Sequence, residues 1–221
     1  MKVLTAIGCA ALAASTASAQ TSVRYDFDLA FQSNSLGQTD PGSPLASVSQ
    51  LATGTLSVEA STTPFEGIGS TDFQSHPVLA TSGQIDGIDL LLDQSGYPSP
   101  SFFTGLGISN ESPDGSTAPV DIFGVILPSL LAGTGLTSLG INAPSNDLLG
   151  TDLWQSTDLP TSIDLGVPGI AKTLVVSGAN ASGTNGRLVM QITNVEITLI
   201  PAPSAAACLV GAGALVMRRR R

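Results

Sequence analysis

The sequence predicts an all-β chain, an antiparallel β-sandwich with the jelly roll as its nearest form. Three observations point there. Only 11% of residues are charged while 42% are hydrophobic, so apolar surface suffices for a core. Gly (24) and Pro (14) are abundant and punctuate the chain with turns. Apolar residues repeat every second position in several short runs, the period of a half-buried strand.

The clearest run is Thr21–Gln32. Val23, Tyr25, Phe27, Leu29 and Phe31 share one face; Arg24, Asp26, Asp28 and Gln32 share the other. Gly37–Pro44 is rich in turn formers. A second strand follows, with Ala52, Leu56, Val58 and Ala60 alternating against Thr53, Thr55, Ser57 and Glu59. Ile85–Leu92 and Phe102–Ile108 are further strands, separated by Gln94-Ser95-Gly96-Tyr97-Pro98. Val120–Leu127 is evenly apolar, as expected of a central strand. Leu130–Ile141 is interrupted by Gly133, Gly135 and Gly140 and fits a buried loop, a bent strand or one helical turn. Asp147–Gln155 fits a short helix capped by Ser145 or Asn146. Lys172–Ser177 and Arg187–Ile200 form a closing hairpin. In that last strand Leu188, Met190 and Ile192 keep one phase, and Val195, Ile197 and Leu199 keep another. A bulge near Thr193-Asn194 would let both sets face the core.

The ends differ from the middle. Met1-Lys2, the apolar run Val3–Ala14 and Ala17-Ser18-Ala19 before Gln20 are the three parts of a secretory signal peptide. Residues 1–19 would be removed by signal peptidase, with Ala17 and Ala19 in the narrow pockets before the cut and Gln20 after it. The C-terminus reads Pro201-Ala202-Pro203, an apolar run Ser204–Met217, then Arg218, Arg219, Arg220 and Arg221. As a helix that run spans about 21 Å, short of the roughly 30 Å hydrocarbon core. The arginines would remain cytoplasmic and halt export there. Residues 20–200 would be the extracellular β domain and 201–221 a membrane-targeting tail, with a transmembrane tail anchor as the alternative.

Pro-x-Pro, a short Ala/Gly/Leu run and a terminal Arg cluster resemble the PEP-CTERM sorting signal. Pro201-Ala202-Pro203 is a variant with Ala202 in place of the signal's central Glu. The resemblance implies recognition by an exosortase-like membrane transpeptidase and cleavage near Pro201 and Pro203. It also implies delivery to the cell surface or extracellular matrix in association with exopolysaccharide.

All 17 acidic residues lie between Gln20 and Ile200, against Arg24, Lys172 and Arg187 alone. Such a surface repels phosphate backbones, so nucleic acid is not an expected partner. Cys9 and Cys208 fall in the two terminal segments, which excludes a disulfide framework or thiolate metal site in the domain. His76 is the single histidine and sits in a loop-like Gln74-Ser75-His76-Pro77 context, with no Gly-x-Ser-x-Gly motif anywhere. Asp26 and Asp28, and Asp86 with Asp93, are carboxylates a glycoside hydrolase could use. Asn110-Glu111-Ser112-Pro113-Asp114-Gly115 and Asp86-Gly87-Ile88-Asp89 are the richest oxygen clusters for calcium, and equally good Asx turns. Trp154, Tyr97, Phe102 and Phe103 could stack on a sugar or pack in the core. The expectation is a non-enzymatic exported protein with no catalytic, cofactor or metal residues. A carbohydrate- or calcium-binding module is the alternative, and a hydrolase the third.

Overall fold

Alternation along the first strand sets the architecture. The structure, a computed structural model, describes residues 21–66, 69–70, 72–93, 105–113, 119–144, 153–178 and 186–202. Strand β1 is Ser22–Asn34. Val23, Tyr25, Phe27 and Leu29 are buried, and Arg24 and Asp28 face water. The remaining strands are β2 (Thr53–Ser61), β3 (Gly69–Ser70), β4 (Phe73–Ile85), β5 (Ile88–Asp89), β6 (Gly105–Pro113), β7 (Pro119–Pro128), β8 (Thr134–Pro144), β9 (Ala171–Gly178) and β10 (Arg187–Ile200).

Every pairing is antiparallel. Around the sheet the order is β1-β2-β4-β6-β7-β8-β9-β10, and β10 returns to β1. Each long strand therefore neighbours the next long strand in sequence. The result is a closed eight-stranded up-and-down barrel, which corrects the expected sandwich and jelly roll. Closure pairs both edges that an open sheet would leave exposed. No strand is central in such a barrel, so β7 is not the buried middle of a sheet.

Away from the plug end the interior is lined by apolar side chains. Leu56 and Val58 from β2, Leu106 and Ile108 from β6, Phe123 and Val125 from β7, Leu139 and Ile141 from β8, Leu174 and Val176 from β9, and Leu188, Met190 and Ile192 from β10 are buried with the β1 set. Eight strands leave an interior that side chains can fill. Phe123 packs edge-on to Tyr25 at 4.9 Å between ring centroids and to Phe27 at 6.0 Å. Lipid-facing barrels reverse this pattern, apolar outside and polar inside; here the outer wall of β1 and β2 carries Arg24, Asp26, Asp28, Thr55, Ser57 and Glu59. No helix among the described residues is long and apolar enough to cross a membrane.

Both mouths are covered. At one, a short helix α1 (Leu36–Thr39) and a 3-10 turn (Pro44–Ser47) bury Leu36 and Leu45. The Ser43 hydroxyl accepts from the Leu45 amide, capping the 3-10 turn. At the other, the β8–β9 connection, described over residues 153–170, buries Trp154, Thr157, Leu159 and Pro160. It is a plug rather than the expected helix: Leu153–Gln155 has no helical hydrogen bonding. Residues 147–152 lie outside the described set.

Several strand expectations hold and others move. In β10 the register with β1 slips between Asp28 and Leu29, leaving Thr193 as the extra residue. Leu188, Met190 and Ile192 stay buried, and Val195 and Ile197 pack partly against the core; Leu199 remains exposed. The Thr193 hydroxyl donates to the Asp28 carbonyl, which anchors the bulge. The expected strand Ile85–Leu92 is a hairpin tip instead. Asp86 (φ +52°) and Gly87 (φ +77°) form the two-residue turn that joins β4 to β5, the left-handed pair such turns require. Leu130–Ile141 resolves into the β7–β8 turn and β8. Phe102–Ile108 begins at Gly105 in the described residues and runs on to Pro113.

Candidate functional site

A filled and plugged barrel has its open surfaces on the outer wall. One apolar groove crosses β6, β7 and β8. Gly107 pairs with Gly124, and Gly124 pairs with Gly140. Three glycines thus stand side by side in register across three strands, spanning about 10 Å at the usual strand spacing. They form a floor without side chains. Ile122 and Ile126, two residues either way from Gly124, make its walls, and Phe73, Gly105, Ser109 and Leu139 complete a groove of about 290 Å³. The Phe73 ring closes one end. A Cβ on Gly107 would stand 3.0 Å from that ring, so the ring occupies the space a side chain would take. A Cβ on Gly140 would meet only Asn142 Nδ2 at 3.9 Å, so packing does not demand glycine there.

A second groove, of about 450 Å³, lies on β1, β2 and β4 between Asp26, Asp28, Thr55, Ser57, Ser82, Gln84 and Asp89. This brings Asp26 and Asp28 to one wall with Asp89. The Arg24 guanidinium bonds Asp26 at 3.0 Å, and Asn194 donates to Asp28 at 3.1 Å. Among the described residues, no group of three or more His, Cys, Asp or Glu side chains is arranged to hold a metal ion.

The plug end holds the polar interior. Four strand residues fix four points of the plug backbone or ring. The Tyr25 hydroxyl donates to the Pro160 carbonyl at 2.8 Å. Burial pushes this phenol above the ordinary tyrosine range. Asp121, buried on β7, accepts from the Leu153 amide at 2.8 Å. The Trp154 indole donates to the Ser109 carbonyl at 2.8 Å. His76 lies with Nδ1 3.0 Å from the Ser61 carbonyl oxygen and Nε2 3.2 Å from that of Thr157.

His76 is therefore not a loop residue. It sits in β4, 1% exposed. The sequence obscures this because Pro77 and a register shift near Ala60 break the alternation of β4. Trp154 is a core residue, tilted against Phe123 at 6.4 Å, so it is no sugar platform; Tyr97, Phe102 and Phe103 lie outside the described residues. Asp86 lies in the β4–β5 turn and Asp89 in β5, and Asp93 donates its amide to the Pro128 carbonyl. Asn110 and Glu111 belong to β6, while Asp114 and Gly115 are outside the described set. Ala17, Ala19, Gln20, Pro203 and Arg218–Arg221 lie outside it as well. Pro201 and Ala202 are described and follow β10 without regular structure. The glycine row leaves no signal in the sequence, because the register alone makes Gly107, Gly124 and Gly140 neighbours.

No protein-family model, curated protein or solved structure matches this chain.

Proposed function

We propose that this chain is an exported, non-enzymatic protein of the cell surface or extracellular matrix, its β-barrel delivered by a removable leader and sorted through the Pro201-Ala202-Pro203 tail. One observation carries the reading. Ser22 pairs with Ile200, so the leader junction and the tail junction leave the barrel side by side at the plug end. The Pro motif begins one residue past the last ladder pair. Cutting at either junction removes none of the strands β1–β10 and leaves every ladder among the described residues intact. Thr21–Pro201 forms one compact unit, as a module tethered or released at its ends needs. The acidic outer wall keeps such a module soluble outside the cell. Sorting is tested by the double variant Pro201→Ala/Pro203→Ala. The variant is expected to accumulate in the membrane fraction with residues 204–221 attached, while the unaltered protein loses them. Identical processing of both would overturn the sorting reading.

A carbohydrate-binding module is the second reading, and the glycine-floored groove favours it. A flat floor of backbone with an aromatic ring at one end fits the apolar face of a sugar ring. Binding predicts a melting temperature that rises with exopolysaccharide fragments. A bulky Gly140→Trp variant would abolish that rise without disturbing the barrel.

A further inference from the structure

The glycine-floored groove has two chemically different halves. On β4, Ser75 pairs with Gly107; on β9, Thr173 pairs with Gly140. The glycine row therefore meets a hydroxyl residue at either end. Toward β4 the groove is apolar, between Phe73, Ile122 and Ile126. Toward β9 it turns polar. Asn142 stands across from Ile122, and Ser138 across from Ile126. The Asn142 amide leans over the floor, with Nδ2 3.9 Å from where a β-carbon on Gly140 would sit. No side-chain hydrogen bond among the described residues engages Asn142, Ser138 or Thr173. A separate observation points to a ligand. Ser75 is 0% exposed, and its Oγ has no hydrogen-bond partner among the described residues. Its neighbour His76 turns into the barrel, so Ser75 turns to the outer wall. The Ser75 hydroxyl stands over Gly105, where that residue's side chain would begin, and Gly105 lines the groove. A buried hydroxyl without a partner costs stability. Phe65 Cε2 lies 3.1 Å from the same point above Gly105, so this ring is what a ligand oxygen would displace to supply that partner.

We propose that this groove binds an uncharged oligosaccharide of N-acetylated sugars, laid across the strands from β4 to β9. The proposal rests on the carbohydrate-binding reading above and names the class of sugar. None of the lining residues is charged, whereas the wall of β1 and β2 carries Asp26, Asp28 and Glu59. An anionic sugar finds no cation here, since Lys172, next to Thr173, is held by the Leu165 carbonyl. A cationic sugar would be drawn to the carboxylates instead. Ser75 and Asn142 lie three strand spacings apart, about 14 Å, longer than a single sugar ring. The Asn142 amide can donate to a carbonyl and accept from an N–H, while Ile122 beside it can take a methyl group. An acetamido group presents all three. The ring faces lie on the glycine floor and against Phe73, and Ser75 and Thr173 hold hydroxyls at the two ends.

Titration calorimetry of the mature protein against oligomers of N-acetylglucosamine, glucosamine and glucose tests this. The acetylated oligomer is expected to bind at least about tenfold more tightly than either of the others, the combined effect of one hydrogen bond and one buried methyl group. Asn142→Ala should erase that preference. Ser75→Ala should weaken binding while the melting temperature of the free protein holds or rises, because the change removes an unsatisfied buried group. Equal binding of the acetylated and glucose oligomers would overturn the proposal and leave the carbohydrate reading in place. So would an acetyl preference that survives in Asn142→Ala. Tightest binding of the glucosamine oligomer would overturn it as well and move the site to the carboxylates of β1 and β2. Binding of none of the three would overturn both the proposal and the carbohydrate reading.

Discussion

Replacing Phe123 with alanine probes the closed interior most sharply. The ring is 0% exposed and touches both sides of its surroundings: Tyr25 and Phe27 on β1, 4.9 and 6.0 Å away, and Trp154 of the plug at 6.4 Å. Buried Phe→Ala changes cost about 3–5 kcal/mol, more where the site cannot collapse. Here strands surround the site and a plug covers it, so the upper part of that range applies, about 4 kcal/mol. Each kcal/mol lowers the melting temperature of a domain this size by roughly 2–4 °C, which gives a drop on the order of 8–16 °C. Phe123→Leu, which keeps most of the volume, should cost under about 1.5 kcal/mol. Ile122→Ala, one residue along on the outer wall, should cost less than Phe123→Ala by a wide margin. Urea unfolding followed by Trp154 fluorescence reads all three. A cost below about 1 kcal/mol for Phe123→Ala, or equal costs at 122 and 123, would refute the inward placement of this face.

Three further outcomes follow from the same geometry. Tyr25→Phe strands the Pro160 carbonyl and should cost about 1–3 kcal/mol at neutral pH. Because burial raises the Tyr25 pKa, its stabilisation is complete below the unfolded value near 10 and is lost as pH climbs beyond it; the variant should show a shallower alkaline limb in stability measured against pH. Gly178→Ala would drive a methyl group into the Asp40 carboxylate, and should destabilise by about 1–3 kcal/mol, measured by thermal melting. Gly140→Ala brings its methyl group only into ordinary contact with Asn142 Nδ2 and should instead be neutral or stabilising by up to about 1 kcal/mol through the unfolded chain, while narrowing the outer groove.

What the sequence makes legible depends on how far its signals reach along the chain. Period-two alternation is local, and it places β1, β2, β7 and β10 to within a few residues. The phase slip in β10 is also local, and it locates the Thr193 bulge. Closure is not local. A sandwich and a barrel use the same inward and outward alternation, and they differ only in whether β1 meets β10 and β2 meets β4. Strand β4 escaped because its pattern is broken by Pro77 and Gly83 and by a register shift. With it went the burial of His76. Asp86-Gly87 carries the signature of a two-residue hairpin turn, but the apolar run of Ile88, Leu90, Leu91 and Leu92 reads as a continuous strand. The groove of Gly107, Gly124 and Gly140 and the plug bonds to Ser61 and Thr157 are long-range facts of register, with no trace in any single window of sequence.

The intact mass of the mature protein, taken from the organism that makes it, tests export and sorting together. A chain that begins at Gln20 and has lost residues 204–221, recovered from the surface or matrix, is the expected result. A chain that retains Arg221 and stays in the membrane fraction would contradict it, leaving a barrel on a permanent tail.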